Sequence, residues 1–263
     1  MPTNSSITRI QRGVRHRISR IIAPRSSEEL ARSRAYYPQQ ESCQIPYLWF
    51  LFSRFLGERE SGTFVEVGAY DGTFVSNTWG LAERGWNGFM LEPVPYLAER
   101  CRANHSTHPH IEVIESAIGA PGTDSITLKL AGTLTTGNAD VFAEYSTIDW
   151  ASDALTTSQV VVPCQTLNDF LDSRSIVEGF EVLVVDVEGL ETEVFAGFDL
   201  SKWRPRLLII ELADTHPDLS TTAGKDAQLG LHILDSGYHI VFKDCINTVF
   251  VRRDVWMEAV AQA

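Results

Sequence analysis

Short runs of contiguous apolar residues recur along this chain, and between them apolar positions fall at helical spacing. The runs at Phe64–Val67, Gly88–Leu91, Ile111–Ile114, Val160–Pro163, Val182–Val187 and Leu207–Leu212 predict short strands, the most continuous of them buried on both faces. Tyr47–Leu56, Leu97–Ala103, Leu167–Leu171, Leu190–Ala196 and Gln228–Asp235 predict helices, with Thr166 near the start of the third and Gly237 stopping the last. Ser125–Leu130 alternates polar and apolar residues like an edge strand. Tyr238–Phe242 and Thr248–Val251 predict a closing antiparallel pair that turns through Asp244–Asn247. Strands alternating with helices predict an α/β, Rossmann-like fold: a mostly parallel, doubly wound sheet with an antiparallel closing strand. No internal repeat or second domain interrupts the pattern.

Two segments stand apart from the alternation. Residues 1–45 form a basic amphipathic arm and lead-in ahead of a body spanning 46–263. Within the arm Ile7, Ile10, Val14, Ile18 and Ile21 recur at helical spacing among arginines. Such a helix has three outlets: an anionic membrane surface, packing on the body or a second copy in a homo-oligomer, or a loose tail. The other segment, Ala131–Gln159, is rich in Thr, Ser, Gly, Ala and Asp yet contains Phe142, Tyr145 and Trp150. Irregular connections of this length are usually functional or disordered. It is expected to be an acceptor lid, the alternative being a short packing helix around Val141–Tyr145 with a connector.

Chemistry concentrates at two strand ends. After the strand carrying Glu66 comes the turn Gly68-Ala69-Tyr70-Asp71-Gly72, whose glycines let backbone approach a ligand closely. Glu92 ends the next strand twenty residues past Gly72, where an acid in nucleotide-binding α/β folds takes ribose hydroxyls. The dinucleotide pattern G-x-G-x-x-G is absent, and Asp71 would repel a pyrophosphate. An acid suits a cofactor with a cationic end, such as S-adenosylmethionine.

The second focus is Val184–Phe198. Asp186 stands near the carboxyl end of an otherwise apolar strand, the rim where open α/β sheets bind ligands. Glu188 and Gly189 make the following turn, and Glu191 complements the next helix dipole. Glu211 ends another strand on the same rim, with His216 in the loop beyond. Three roles remain open for this group. Asp186 could serve as base or orient an acceptor. His216 is the better base near neutral pH by its intrinsic pKa. Asp186 and Glu211 could instead ligate Mg2+ or another divalent cation. His105, His108 and His110 read as solvated surface.

Composition narrows the class. The net charge is −12, although residues 1–35 carry eight arginines against two glutamates, so the body is more acidic still. That argues against a nucleic-acid partner, which requires basic surface. No run reaches the length of a membrane span, the N-terminus has no secretory apolar core, and four scattered cysteines suit reduced thiols. A cytoplasmic protein is expected, associated with the inner membrane surface if the arm binds there.

Taken together, FVEVGAYDG, LEPVP, VVDVEGLETEVFAGF and RPRLLIIEL resemble the FkbM-type family of S-adenosylmethionine-dependent methyltransferases over about residues 60–252. The resemblance implies O-methylation, often of a sugar hydroxyl on a glycan, glycolipid or glycosylated metabolite. It implies that Glu66, Gly68 and Gly72 surround the methionine end and ribose, that Glu92 holds the ribose diol, and that Ser116 and Ala117 approach adenine. Asp186, Glu188 and Glu211 would face methyl transfer. The other functions weighed are a non-catalytic nucleoside-binding protein, an O-methyltransferase of a non-sugar natural product, and a nucleotide-sugar oxidoreductase, the last weakened by the missing glycine motif.

Overall fold

The structure is a computed structural model and describes residues 26–262. The Ile7–Ile21 pattern therefore lies outside the described residues. The first described segment is helical: α1, Ser27–Tyr36, capped by the Ser26 hydroxyl, packs against α2, Leu48–Leu56. Seven of the nine residues of α2 are buried, as its nearly unbroken apolar sequence requires.

Seven strands form the main sheet: β1 (Thr63–Val67), β2 (Asn87–Leu91), β3 (Ile111–Ile114), β7 (Val182–Val185), β8 (Leu207–Glu211), β9 (Tyr238–Lys243) and β10 (Asn247–Arg252). Their order is β3-β2-β1-β7-β8-β10-β9. Pairings from β3 to β8 are parallel, and β10 runs antiparallel to both its neighbours. Alternate residues feed two cores. Phe64, Val182 and Val184 face α2 and Trp86, whereas Val65, Leu183 and Val185 face Phe170, Val194 and Trp203. Burial on both sides explains the unbroken apolar runs.

Helices connect the strands: α3 (Trp79–Glu83), α4 (Pro95–Asn104), α7 (Leu167–Ser173), α8 (Glu191–Ala196), α9 (Leu200–Trp203) and α10 (Ala223–Asp235), and α11 (Arg253–Ala261) follows the last strand. The predicted edge strand belongs to a separate three-stranded sheet, ordered β4 (Ala117–Ile118), β6 (Gln159–Gln165), β5 (Ser125–Lys129). Between β5 and β6 the insertion folds into α5 (Ala139–Tyr145) and α6 (Asp149–Ser152), with Val141, Tyr145 and Ala151 buried between them. It is thus a packed unit, because those apolar residues bury against Leu134, Ile148, Leu155 and Leu219. Among the described residues no helix is long and apolar enough to cross a membrane.

The chain leaves β1 toward β2 and β3, then returns to place β7 on the other side of β1. That reversal opens a crevice at the carboxyl ends of β1 and β7.

Candidate active site

Two turns meet at this crevice. Gly68 has φ +88°, and a Cβ there would lie 1.7 Å from the Asp186 carbonyl oxygen. The β1 and β7 turns therefore pack backbone on backbone, which only glycine permits. The Gly68 and Ala69 amides donate to the Leu91 carbonyl at 2.9 and 3.1 Å. Glu92, one residue past β2, accepts from the Tyr70 amide at 2.9 Å and the Val94 amide at 2.8 Å. Burial pushes its carboxyl up to about 7. Each Glu92 oxygen retains further acceptor capacity for a ligand hydroxyl.

Asp186 stands one residue beyond β7, which ends at Val185 and not at Val187: its amide makes a last bond to β1, at the Val67 carbonyl 3.0 Å away, and the chain then turns. Glu188 takes φ +55° and Gly189 φ +90° in that turn. Glu191 accepts from the Val187 and Gly189 amides at 3.0 and 3.4 Å, so it braces the turn from inside. Glu211 closes β8 opposite Asn247. The result is a carboxylate oxygen from each of Asp186, Glu188 and Glu211, all within 4.8 Å of one another.

Burial raises all three carboxyls, and mutual charge raises Glu188 and Glu211 furthest. The hydrogen bond between Asp186 and Glu211 lowers the first and raises the second. Of the three, Asp186 is raised least above the ordinary carboxyl range. Oε2 of Glu211 is buried with no hydrogen-bond partner.

A cavity of about 460 Å3 runs along the crevice, within the size range of small-ligand sites. Gly68, Tyr70, Glu92, Ser116, Ala117, Asp186, Glu188 and Glu211 line it. Ser116 donates to the Ala117 carbonyl at 3.0 Å and accepts from Gln165 at 3.2 Å. The insertion adds Gly132–Thr135, Tyr145, Trp150 and Ala154.

Other predicted residues lie elsewhere. Glu66, Ala69, Asp71 and Gly72 do not line the cavity. Asp71 accepts from the Thr73 and Phe74 amides at 3.0 and 2.8 Å and pairs with Arg100 at 3.0 Å, so its charge is engaged within the turn. Gly72 packs beneath His105 and Cys101. Strand alternation turns Glu66 toward the α2 side, where it accepts from Thr78 at 2.6 Å. His216 is also apart from the carboxylates. Its Nδ1 accepts from the Asp218 and Leu219 amides, both at 3.1 Å, which leaves a neutral ring's proton on Nε2 and makes it a loop cap. Phe142 lies under Lys129, with the ammonium 4.6 Å from the ring centre.

Several anchoring contacts escaped the sequence pattern. Tyr145, part of the expected acceptor lid, is 2 % exposed and donates to Glu188 at 2.5 Å. Thr136 donates to the Glu188 carbonyl at 2.7 Å and Asn138 to the Gly189 carbonyl at 3.0 Å. Glu144 accepts from Ser220 and Thr221, and the indole of the half-exposed Trp150 donates to Asp218 at 3.1 Å. The insertion thereby ties down both acid-bearing loops.

Glu66 yields a stability prediction. Burial pushes its carboxyl up to about 7, so the native state binds more protons than the unfolded chain between the two pKa values. Its contribution is present at low pH and is lost as pH rises through about 7. Glu66→Gln keeps the hydroxyl contacts without the charge. From about pH 5 to about pH 8 wild type should lose up to roughly 3 kcal/mol relative to the variant, read by denaturant melts. A stability gap that stays constant with pH would contradict this.

No curated protein sequence matches this chain at a significant level. Among solved structures, a putative O-methyltransferase from Klebsiella pneumoniae is 9% identical with a TM-score of 0.44, over 91% of this chain and 96% of that one. TomG from Streptomyces achromogenes, an O-methyltransferase solved with S-adenosylmethionine, is 13% identical with a TM-score of 0.42, over 88% and 92%. Monomeric WbdD is 12% identical with a TM-score of 0.41, and the match covers 88% of this chain and 42% of that longer one. The sequence itself matches the methyltransferase FkbM domain across residues 66–238, two thirds of its length, and the chain belongs to that family of S-adenosylmethionine-dependent methyltransferases.

Proposed function

We propose that this methyltransferase acts on oxygen, methylating a sugar hydroxyl of a glycan, glycolipid or glycosylated metabolite. One observation carries this reading. A single cavity has Glu92 at the end of β2 and the Asp186–Glu188–Glu211 cluster at the ends of β7 and β8, with the insertion walling the same space. The cavity fits the cofactor that the family implies: Gly68 gives close backbone approach, Glu92 offers acceptors for a diol, and Glu211 holds an unpartnered oxygen. Bound there, S-adenosylmethionine would supply an electrophilic methyl carbon, with S-adenosylhomocysteine as the leaving group. Asp186 accepts the hydroxyl proton as the acceptor oxygen bonds to carbon. Trp150, fixed by Asp218, offers an apolar face for a sugar ring, and Thr133 and Thr135 offer hydroxyls.

The three carboxylates also form an all-oxygen donor set for a hard divalent cation such as Mg2+. Held by Asp186, Glu188 and Glu211, it would bind the acceptor hydroxyl and lower its pKa. Loss of turnover in EDTA with recovery on adding Mg2+ would support that version, and full turnover in EDTA would exclude it.

The test is a broad acceptor screen read by mass. A gain of one methyl on a carbohydrate supports the proposal, whereas methylation confined to protein, nucleic acid or non-sugar metabolites overturns it. Glu92→Ala should weaken S-adenosylhomocysteine binding at least about tenfold, because the acceptors for the ribose hydroxyls are lost. Calorimetry showing unchanged affinity would defeat the ribose assignment.

A further inference from the structure

The cofactor turn is backed by side chains that methyl transfer does not use. His105, at the end of α4, is 4 % exposed and therefore not the solvated residue its sequence setting suggests. Its Nε2 lies 2.8 Å from the Gly72 carbonyl oxygen. Its Nδ1 lies 3.1 Å from Nδ1 of His108. His108 Nε2 in turn lies 3.1 Å from Oε1 of Glu83, the last residue of α3.

Proton counting constrains this chain of contacts. A carbonyl only accepts, so His105 Nε2 carries hydrogen. The contact between the two Nδ1 atoms requires one hydrogen. A carboxylate accepts, so His108 Nε2 carries the third. Two neutral imidazoles hold only two ring protons, so the bonded arrangement contains one imidazolium. Burial lowers the His105 pKa, so the extra charge is disfavoured on that ring.

The surrounding groups do not supply that proton. Asp71 is paired with Arg100. Cys101, on α4, remains a thiol because burial pushes it up to about 12. His110 is exposed beyond the pair. Glu66 and Glu92 act on this neighbourhood through their charges on Cys101. The packing is also tight: a Cβ on Gly72 would lie 2.7 Å from both Cys101 Sγ and the His105 ring, so displacement of that ring reaches the turn.

We infer that Glu83, His108 and His105 form a three-proton relay that positions the cofactor turn Gly68–Gly72 through the Gly72 carbonyl. The inference rests on assigning that turn to the cofactor. His105 is then a positioning residue, and it acts through main chain. With only two protons on the two rings, one ring nitrogen faces an acceptor with a lone pair, and the relay breaks.

Glu83→Gln separates the relay from simple packing, because an amide N–H can donate to a neutral His108 and satisfy both rings with two protons. The side chain is 37% exposed, so the change does not threaten the fold. In full-length protein labelled with 15N-histidine, NMR should count three protonated nitrogens on these two rings at about pH 6. It should count two at about pH 9, with the transition moved to lower pH in the variant. Over the same range, wild-type affinity for S-adenosylhomocysteine should fall about three- to tenfold further than that of the variant, the worth of one hydrogen bond. Glu66, Glu92 and the acid cluster titrate in both proteins, so the difference isolates the relay. Two protonated nitrogens at the acid end overturn the relay itself. Parallel affinity curves with a correct proton count overturn its positioning role. No S-adenosylhomocysteine binding by wild type at any pH overturns the cofactor assignment, and the positioning role with it.

Discussion

Asp186→Asn should lower turnover at least about a hundredfold while the S-adenosylhomocysteine dissociation constant changes less than about threefold, the signature of a lost proton acceptor. The substitution preserves shape, and the amide that bonds the Val67 carbonyl belongs to the backbone and is unaffected. An asparagine amide can still hydrogen-bond Glu211. What disappears is the readiest base of the cluster, and with it one ligand of any cation held there. Initial rates of S-adenosylhomocysteine formation and calorimetry measure the two quantities on the same preparation. Wild-type turnover in the variant would remove Asp186 from the chemistry in both its versions.

Gly68→Ala is expected to abolish cofactor binding, either in a folded protein or by preventing folding. A methyl group there would occupy the position of the Asp186 carbonyl oxygen, 1.7 Å away, and both partners are main chain with little freedom to yield. Separating the β1 and β7 turns would also strain the bond from the Gly68 amide to the Leu91 carbonyl. Gly122→Ala is the control, since Gly122 has φ +83° with nothing within 4 Å of the added carbon. It carries the backbone penalty alone, about 1 kcal/mol. Gly68→Ala should cost several times that, or leave affinity reduced more than about a hundredfold. A variant as stable as the control that binds S-adenosylhomocysteine normally would show that the two turns do not need this contact.

The buried strands are legible in sequence because they lie in a sheet covered on both faces, which turns each into a contiguous apolar run. The run Val182–Val187 overstates its strand by two residues because Val187 continues the apolar pattern after the ladder has ended at Val185. Helix α3 is invisible for a different reason. Gly80 interrupts it, where a Cβ would lie 1.8 Å from the Pro38 carbonyl oxygen, so packing chose a residue that erases the helical signal. In the site, acids at strand ends are legible because the ends of parallel strands are where ligands bind. The direction of a carboxylate is not. Asp71 has a visible alternative in Asp71-Gly72-Thr73, where an aspartate bonds the amide two residues on. Tyr145, Thr136 and Asn138 touch Glu188 and Gly189 across more than forty residues of sequence, and no local pattern encodes that distance.

The insertion has two working faces. Thr136 and Asn138 grip main-chain carbonyls, while Gly132–Thr135, Trp150 and Ala154 border the cavity. Anchoring to backbone makes that part of the grip indifferent to which side chains the catalytic turn carries, while Tyr145 holds the Glu188 carboxylate itself. For enzyme engineering this divides the segment into a fixed chassis and a replaceable surface. Acceptor range can be recoded on the cavity-facing positions alone, whereas grafting a whole foreign insertion would also discard the fastenings that aim Glu188.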